Sequence, residues 1–300
     1  MNRILCRICP NHCDLGEEEV GDCFAWRMRK GSIIEEPLRI TSINLDTIEK
    51  KPIFHFRQNS KILSFGSCGC SLRCLCCQNY KISTLIPQRT TILNDIEIVD
   101  MAKKYEAAGI FFSYSEPTIY YKRLSSLSSM AHENNLFFGI KTNAYLTSRY
   151  WKNICHSCDV MNIDLKGTRD DYENRCGRFG YDYILNNITY ALKIVKNVEI
   201  SIPVYSDIED SKEWIHEVLL PLDLKRVPIH LLKVFPAHKS LGSSTDEDIL
   251  FDLRDHLMAA GYDNVYISNI FSRKGIARNT YDPVTKKIVT RREKYISYSF

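Results

Sequence analysis

No stretch of this 300-residue chain stays apolar over the ~20 residues that a membrane-spanning helix needs, so the sequence offers no transmembrane segment. Surplus charge is scarce too. The formal net charge is +4, from 40 Lys and Arg against 36 Asp and Glu, and that does not imply binding to nucleic acid or to a membrane surface. Low-complexity tracts and short internal repeats are missing. The opening MNRILCRICPNHC turns polar too soon for a secretory signal, and the expectation is a cytoplasmic protein. The remaining composition, 44% hydrophobic and 25% charged, is that of a globular protein long enough to bury a full core.

Cysteine is what the chain has in excess: twelve residues, unevenly spread. Cys6, Cys9, Cys13 and Cys23 form one group, and Cys68, Cys70, Cys74, Cys76 and Cys77 form a second. Cys155, Cys158 and Cys176 follow singly. In a reducing compartment, clustered cysteines point to metal binding or redox chemistry rather than to a disulfide framework.

Residues 1–58 are cysteine-rich, charged and weakly periodic, and read as a small appended module. Residues 59–300 alternate short β-rich runs with amphipathic helices. KILSFG, IFFSYS, LFFGIK, DVMNIDLK, VEISIPV, IHLLKV and NVYISN are expected strands. NDIEIVDMAKKYEAAG is an expected helix, with Asn94 and Glu97 placed as a capping pair. YILNNITYALKIVK is another, with Leu185, Ile188, Leu192 and Val195 on one face. About six strand–helix units imply parallel strands with helical crossovers, in a full or partial barrel or a doubly wound sheet. In a barrel, functional residues sit where strands end, and the second cysteine group follows the first such strand.

Within GSCGCSLRCLCCQNY, Cys70, Cys74 and Cys77 form CxxxCxxC. Three thiolates on a short loop can hold three irons of a [4Fe–4S] cluster and leave the fourth open to a small ligand. Structural zinc wants four closed ligands, commonly from paired CxxC knuckles, and that pairing is missing here.

The segment resembles the radical S-adenosylmethionine (SAM) superfamily, whose hallmark is CxxxCx(aromatic)C after the first barrel strand. The resemblance implies a partial (β/α)6 TIM-like barrel, with the small cysteine-rich module at its N-terminus. It also implies a [4Fe–4S] cluster that binds SAM at its open iron, cleaves it reductively and yields a 5′-deoxyadenosyl radical. One position departs from the pattern. Cys76 stands where the superfamily usually has an aromatic residue near the adenine, which leaves adenine to the backbone or to neighbouring residues. Cys68 and Cys76 are then small partly apolar passengers, with an alternate-ligand role as the other reading.

Other positions carry over by motif. SYSEPT nominates Glu116 for the SAM amino group, KTNAYLT nominates Thr142 and Asn143, and MNIDLKG nominates Asp164 and Lys166. VEISIPVYSD places Pro203 and Val204 near the adenosyl moiety. Against each polar candidate stands a plainer reading as a helix cap or solvated loop end. CRICPNHC followed by GDC, IEKKPIFHF, CQNYKIS, SEPTIYY, NIDLKG and ARNTYDP, in that order, are similar to the radical SAM proteins of the AmmeMemoRadiSam system. Those proteins fall in the broader group that contains pyruvate formate-lyase activating enzymes. The family's terminal NTYCPxC reads NTYDPVT here, with Asp282 and Thr285 in place of cysteines, so a C-terminal metal knuckle is not expected.

Cys6, Cys9, Cys13 and Cys23, spaced CxxCx3Cx9C, can hold structural zinc or an auxiliary iron–sulfur cluster, or can be metal-free. His12 is an additional candidate ligand, or simply faces solvent. Cys176, after the fourth strand, is a candidate for thiyl-radical or covalent chemistry, with a plain loop thiol as the alternative. Cys155 and Cys158 read as buried, and His230 and His238 as candidates for proton handling.

The leading expectation is a radical SAM enzyme acting on an unidentified peptide, protein or small metabolite, with flavodoxin or ferredoxin as the reductant the resemblance implies. A glycyl-radical activase is the subsidiary reading, though the chain lacks the CxxCxxCxxxC insert of many activases. A non-catalytic iron–sulfur or zinc scaffold is the alternative from another class.

Overall fold

The computed structural model describes residues 2–240, 242–270, 278–281, 285, 287–292 and 297–298. Parallel strands Lys61–Ser67, Gly109–Ser113, Phe137–Thr142, Val160–Asp164, Asn197–Val204, Ile229–Lys233 and Val265–Ser268 lie side by side in chain order. Their sequences are nearly continuous in Ile, Val, Leu and Phe because both faces of a parallel sheet are covered. Gly109–Ser113 is buried at every residue. Amphipathic crossover helices join successive strands, from Asp95–Lys104 through Glu247–Ala259. The expected strand–helix series is therefore present and ends on a further parallel strand.

Two helices show how local sequence sets the elements. Asp95–Lys104 starts at the expected capping box: the Asn94 side chain accepts from Glu97 N at 2.9 Å, and Glu97 accepts from Asn94 N at 2.7 Å. Tyr181–Ile194 turns inward a face that only partly coincides with the expected one, Ile188 and Val195 being buried as expected. Ile184, Ile188 and Ala191 are buried, while Leu185 and Leu192 are only partly covered. Asn187 fixes that rotation by donating from Nδ2 to the Ala144 and Leu146 carbonyls at 2.8 and 2.7 Å. A buried amide must find such partners, and here it outweighs the simple apolar stripe.

Strand order is linear rather than closed, so the sheet is a partial barrel. Its curl is plain from the cavity it encloses, which is lined both by Cys70, after the first parallel strand, and by Asn269, after the last. Ile48, Ile53, Ile62, Phe111, Phe137 and Val160 fill the floor. Each such side chain contributes about 1.5–3 kcal/mol on full burial. The floor segment is clamped by Glu199, which accepts from Phe54 N and His55 N at 2.7 Å each and meets His230 Nε2 at 2.6 Å.

The N-terminal region contains short antiparallel pairings, Ile4–Leu5 with Asp14–Leu15 and Trp26–Arg29 with Ser32–Glu35. Lys30 and Gly31 turn the second hairpin, with φ of 50° and 69°. Two successive positive φ values give the turn that matches strand twist. Strand Ile40–Thr47, before the expected boundary at residue 58, pairs antiparallel with Lys61–Ser67 and extends the main sheet. Among the described residues no helix is long and apolar enough to cross a membrane.

Candidate active site

The carboxyl ends of the parallel strands open on one cavity of about 360 Å³. Cys70, Cys74 and Cys77 line it together with Glu116, Asn143 and Lys166. The loop that carries the cysteines leaves strand Lys61–Ser67 through Gly69, at φ 90°. A Cβ at Gly69 would run into the Cys23 carbonyl oxygen, so the N-terminal segment packs directly on the start of this loop. Cys77 N donates to the Cys74 carbonyl at 3.3 Å, and Tyr80 N to the Cys77 carbonyl at 3.3 Å, folding the loop into the short helix Tyr80–Ser83.

Polar donors face the sulfurs. Leu72 N donates to Cys70 Sγ at 3.4 Å and Asn143 Nδ2 to the same sulfur at 3.5 Å. Ser83 Oγ lies 3.2 Å from Cys77 Sγ. Burial pushes the Cys70 and Cys77 thiols up. Cys74 is pushed well up, first by a hydrogen bond with Cys176 and then by burial. A buried thiolate needs compensating positive charge, which iron supplies. Three thiols on one wall, with N–H and O–H groups aimed at two of them, fit the donor set of a three-cysteine [4Fe–4S] site. Among the described residues no three Cys, His, Asp or Glu side chains converge as the ligands of a single ion do.

Glu116 is 1% exposed and ties three segments together. Its Oε1 accepts from Thr118 N at 3.0 Å, Thr118 Oγ1 at 2.6 Å and Thr142 Oγ1 at 2.7 Å, and its Oε2 accepts from Asn143 N at 2.7 Å. Burial raises its pKa against the pull of these donors. The three nominated residues Glu116, Thr142 and Asn143 thus form one unit beside Cys70.

Asp164 is gripped by two lysines, Lys141 Nζ at 2.5 Å and Lys166 Nζ at 2.9 Å. Burial pushes Asp164 up, but Lys141 and Lys166 outweigh it and hold the carboxylate at about 2. Burial opposes the charge of Lys166 as well, yet Asp164 and then Cys74 raise it well above its ordinary value. Lys141 was not among the sequence candidates. Its signal was alternation: it is paired in register with Asn162, two residues before Asp164, and so points to the barrel interior.

A second charged group meets the same cavity through Lys51 and Tyr114. Lys51, 4% exposed, donates to Asp46 Oδ2 at 3.0 Å and to Tyr114 Oη at 2.7 Å. Burial lowers Lys51 to about 8 against the attraction of Asp46. Tyr114 holds φ 73°, a left-handed conformation that costs a non-glycine residue about 1–2 kcal/mol. None of these three residues was nominated from the sequence.

The remaining candidates fall as follows. Pro203 lines the cavity, whereas Val204 is buried behind it and accepts from Thr245 Oγ1 at 2.5 Å. Cys76 is on the cavity wall, and Cys68 is buried away from it, its carbonyl accepting from Tyr120 Oη at 3.1 Å. Cys155 and Cys158 are buried. His230 is wholly buried on Glu199, and His238 stacks on Tyr80 with ring centres 4.8 Å apart. Asp282 lies outside the described residues, and Thr285 is exposed.

Cys6, Cys9 and Cys23 are buried free thiols, and Cys13 is partly exposed. Burial pushes up Cys6 and Cys9, and Cys23 to about 12; the neighbouring thiols of the quartet add to the effect. Even so, the four sulfurs do not converge as the ligands of a single ion among the described residues. The module that carries them grips the Cys70 loop: Asn11 Nδ2 donates to the Ser71 carbonyl at 2.9 Å, and Arg73 donates to the Asp22 carbonyl. Arg178 bridges the two, bonding the Ser71 carbonyl at 2.9 Å and Asp22 at 2.9 Å.

A partial parallel barrel with CxxxCxxC after its first strand, opening on a cavity that also holds Glu116, Asp164 and Lys166, is the architecture of an iron–sulfur enzyme that uses SAM. The sequence model of the radical SAM superfamily matches residues 65–218, and the chain belongs to that superfamily. The uncharacterized protein MJ0808 of Methanocaldococcus jannaschii is 33% identical over 290 residues, covering 94% of this chain and 85% of that protein. The fold is shared with a radical SAM methyltransferase from Sphaerobacter thermophilus: TM-score 0.55, 13% identity, 71% of this chain and 67% of that one. It is also shared with Streptococcus suis SuiB bound to the precursor peptide SuiA: TM-score 0.54, 15% identity, 75% of this chain and 52% of that one. The present chain therefore spans about half the length of SuiB.

Proposed function

We propose that this protein binds SAM at a [4Fe–4S] cluster held by Cys70, Cys74 and Cys77 and uses it to abstract hydrogen from a substrate in the barrel cavity. When bound, the cluster supplies the electron that cleaves SAM to a 5′-deoxyadenosyl radical. The observation that carries the reading is the convergence of these thiols with the Glu116, Thr142 and Asn143 unit on one cavity wall.

The chain's own residues then divide the work. Glu116, through its second oxygen, receives the SAM amino group, with Thr142 and Asn143 holding its carboxylate in place. Asp164 and Lys166 bind the polar end of the cofactor, and Pro203 packs on the adenosyl moiety with Val204 behind it. Lys51 and Tyr114, which line the cavity near Glu116, contact the substrate, with Asp46 holding Lys51 from behind. That substrate is a peptide, a protein segment or a small metabolite; a glycine loop of a partner enzyme is the activase version. Flavodoxin or ferredoxin is the reductant, in the cytoplasm, and the order of the short motifs supports the AmmeMemoRadiSam group. The N-terminal quartet is a candidate second metal site for zinc or an auxiliary cluster, with a metal-free module as the alternative.

Anaerobic reconstitution with dithionite and SAM tests the reading. 5′-Deoxyadenosine is expected from the wild type and not from the Cys70/Cys74/Cys77→Ala variant. A full cluster whose EPR signal SAM leaves unchanged, with no product, would instead mark a scaffold. Iron and zinc counts on the same samples assign the quartet.

A further inference from the structure

Cys176 is wholly buried and does not line the cavity. The polar groups that do meet the cavity include a set just above its apolar floor. Phe111 and Phe137 belong to that floor, on neighbouring parallel strands. Two residues further along each strand, and so on the same face, come Ser113 and Lys141. The register that pairs Phe112 with Ile140 sets these two side by side, and both line the cavity.

Ser113 is 3% exposed, and its hydroxyl has no hydrogen-bond partner. Such a buried orphan is uncommon, because its lost hydration goes uncompensated. Lys141 Nζ donates to Asn162 Oδ1 and to Asp164 Oδ1, the latter at 2.5 Å. Asn162 Nδ2 donates in turn to the Pro52 carbonyl at 2.8 Å, which ties the Lys51–Pro52 segment to Lys141. An ammonium group has three N–H donors. Lys51 uses two, on Asp46 and Tyr114, and Lys141 also uses two, so each keeps one unassigned among the described residues. Both lysines share their carboxylates, Asp46 with Lys50 at 2.9 Å and Asp164 with Lys166 at 2.9 Å. Burial lowers the pKa of Lys141, and the charge of Lys51 pushes the same way.

We propose that the substrate carries a carboxylate, which seats on the Lys51 and Lys141 ammonium groups and the Ser113 hydroxyl. A carboxylate is acceptor-only, with lone pairs enough for all three donors, and hydrogen bonds to it from ammonium groups are charge-assisted. Its single negative charge matches two cations that each already share an aspartate with another lysine. It also gives the Ser113 hydroxyl the partner that the fold withholds. A neutral amide of the same shape would turn N–H groups toward ammonium groups, so the seat selects by charge as well as by fit.

The inference rests on the reading of this cavity as the substrate site, and the test separates the two. Reconstituted full-length protein, its cluster oxidised, is treated with cyanate near the Lys51 pKa of about 8, where part of that amine is neutral and reactive. Carbamylation of each lysine is followed by peptide mass spectrometry. Excess succinate is expected to slow Lys51 at least about fivefold and to leave the exposed Lys104 unchanged. Succinamide, its neutral counterpart, should slow neither. In Ser113→Ala the succinate needed for the same protection should rise about tenfold, through loss of one hydrogen bond to a charged group. The wild-type comparison of succinate with succinamide decides even if that variant does not fold. Equal rates in succinate and succinamide overturn the inference. Protection by inorganic phosphate and not by succinate overturns it too, since the seat would then be a phosphate's. So does protection that vanishes with SAM present, since the seat would then belong to the cofactor's own carboxylate. Lys51 protected in a sample that holds no cluster and makes no 5′-deoxyadenosine overturns the functional reading and keeps the carboxylate seat.

Discussion

Replacing Asp164 by asparagine removes the one carboxylate shared by Lys141 and Lys166, whose ammonium groups lie 2.5 and 2.9 Å from its oxygens. The Asp164 side chain is 15% exposed, so water screens the loss only weakly. The two lysines hold its pKa at about 2. The gap between that and the ordinary ~3.9 is worth about 2.6 kcal/mol of folding stability. Because the folded value is the lower one, this contribution is present above pH ~4 and is lost as pH falls toward about 2. Asparagine imitates the protonated state at every pH and leaves two neighbouring ammonium groups uncompensated, which brings the expected cost to about 3 kcal/mol at pH 7. The assay is urea unfolding of the metal-free chain under reducing conditions. Lys141→Met in the Asp164→Asn background should recover at least about 1 kcal/mol, since one stranded charge is gone. A loss under about 1 kcal/mol, or a strictly additive double variant, would refute the electrostatic reasoning.

Two further perturbations probe other parts of the molecule. Gly69→Ala must hold a left-handed residue, at about 1–2 kcal/mol, while its Cβ meets the Cys23 carbonyl and Ile119 Cδ1 at 3.1 Å. Limited proteolysis should then cut N-terminal to Ile40 much faster than in the wild type; an unchanged rate would mean the module is not seated through this contact. Burial pushes Glu35 up to about 7, against backbone donors from Lys122 and Arg123 at 3.2 Å each. The folded form therefore holds this proton more tightly, and stability falls as pH climbs from ~4 to about 7. Glu35→Gln should be more stable than the wild type at pH 8 and equal to it at pH 4; a thermal melt that moves equally at both would contradict this.

The strand–helix series and the iron-binding loop were legible because their signals are local. Hydrophobic runs of strand length and a fixed cysteine spacing each lie within a dozen residues. Glu116, Thr142 and Asn143 were nominated separately, and the hydrogen bonds that unite them across two strand ends appear only in three dimensions. Lys51, Asp46 and Tyr114 went unseen for a similar reason. Tyr114 lies far along the chain from the other two, and EKKP reads as ordinary solvated charge until the floor segment is folded into the barrel. The helix Tyr181–Ile194 shows the limit of pattern reading within one element, where a single buried amide at Asn187 sets the rotation.

The bracing of the Cys70 loop also has a consequence for how the protein is made. Its supports come from Asn11 and Asp22 on one side and from Arg175, Cys176 and Arg178 on the other. A ribosome must therefore deliver the chain past residue 178 before the loop meets both supports, although its own cysteines emerge much earlier. Joining segments so distant carries a loop-closure cost that only the assembled barrel repays. Iron loaded before that stage would meet a loose loop with many competing thiols nearby, so the fold favours insertion of the cluster as a late step of maturation.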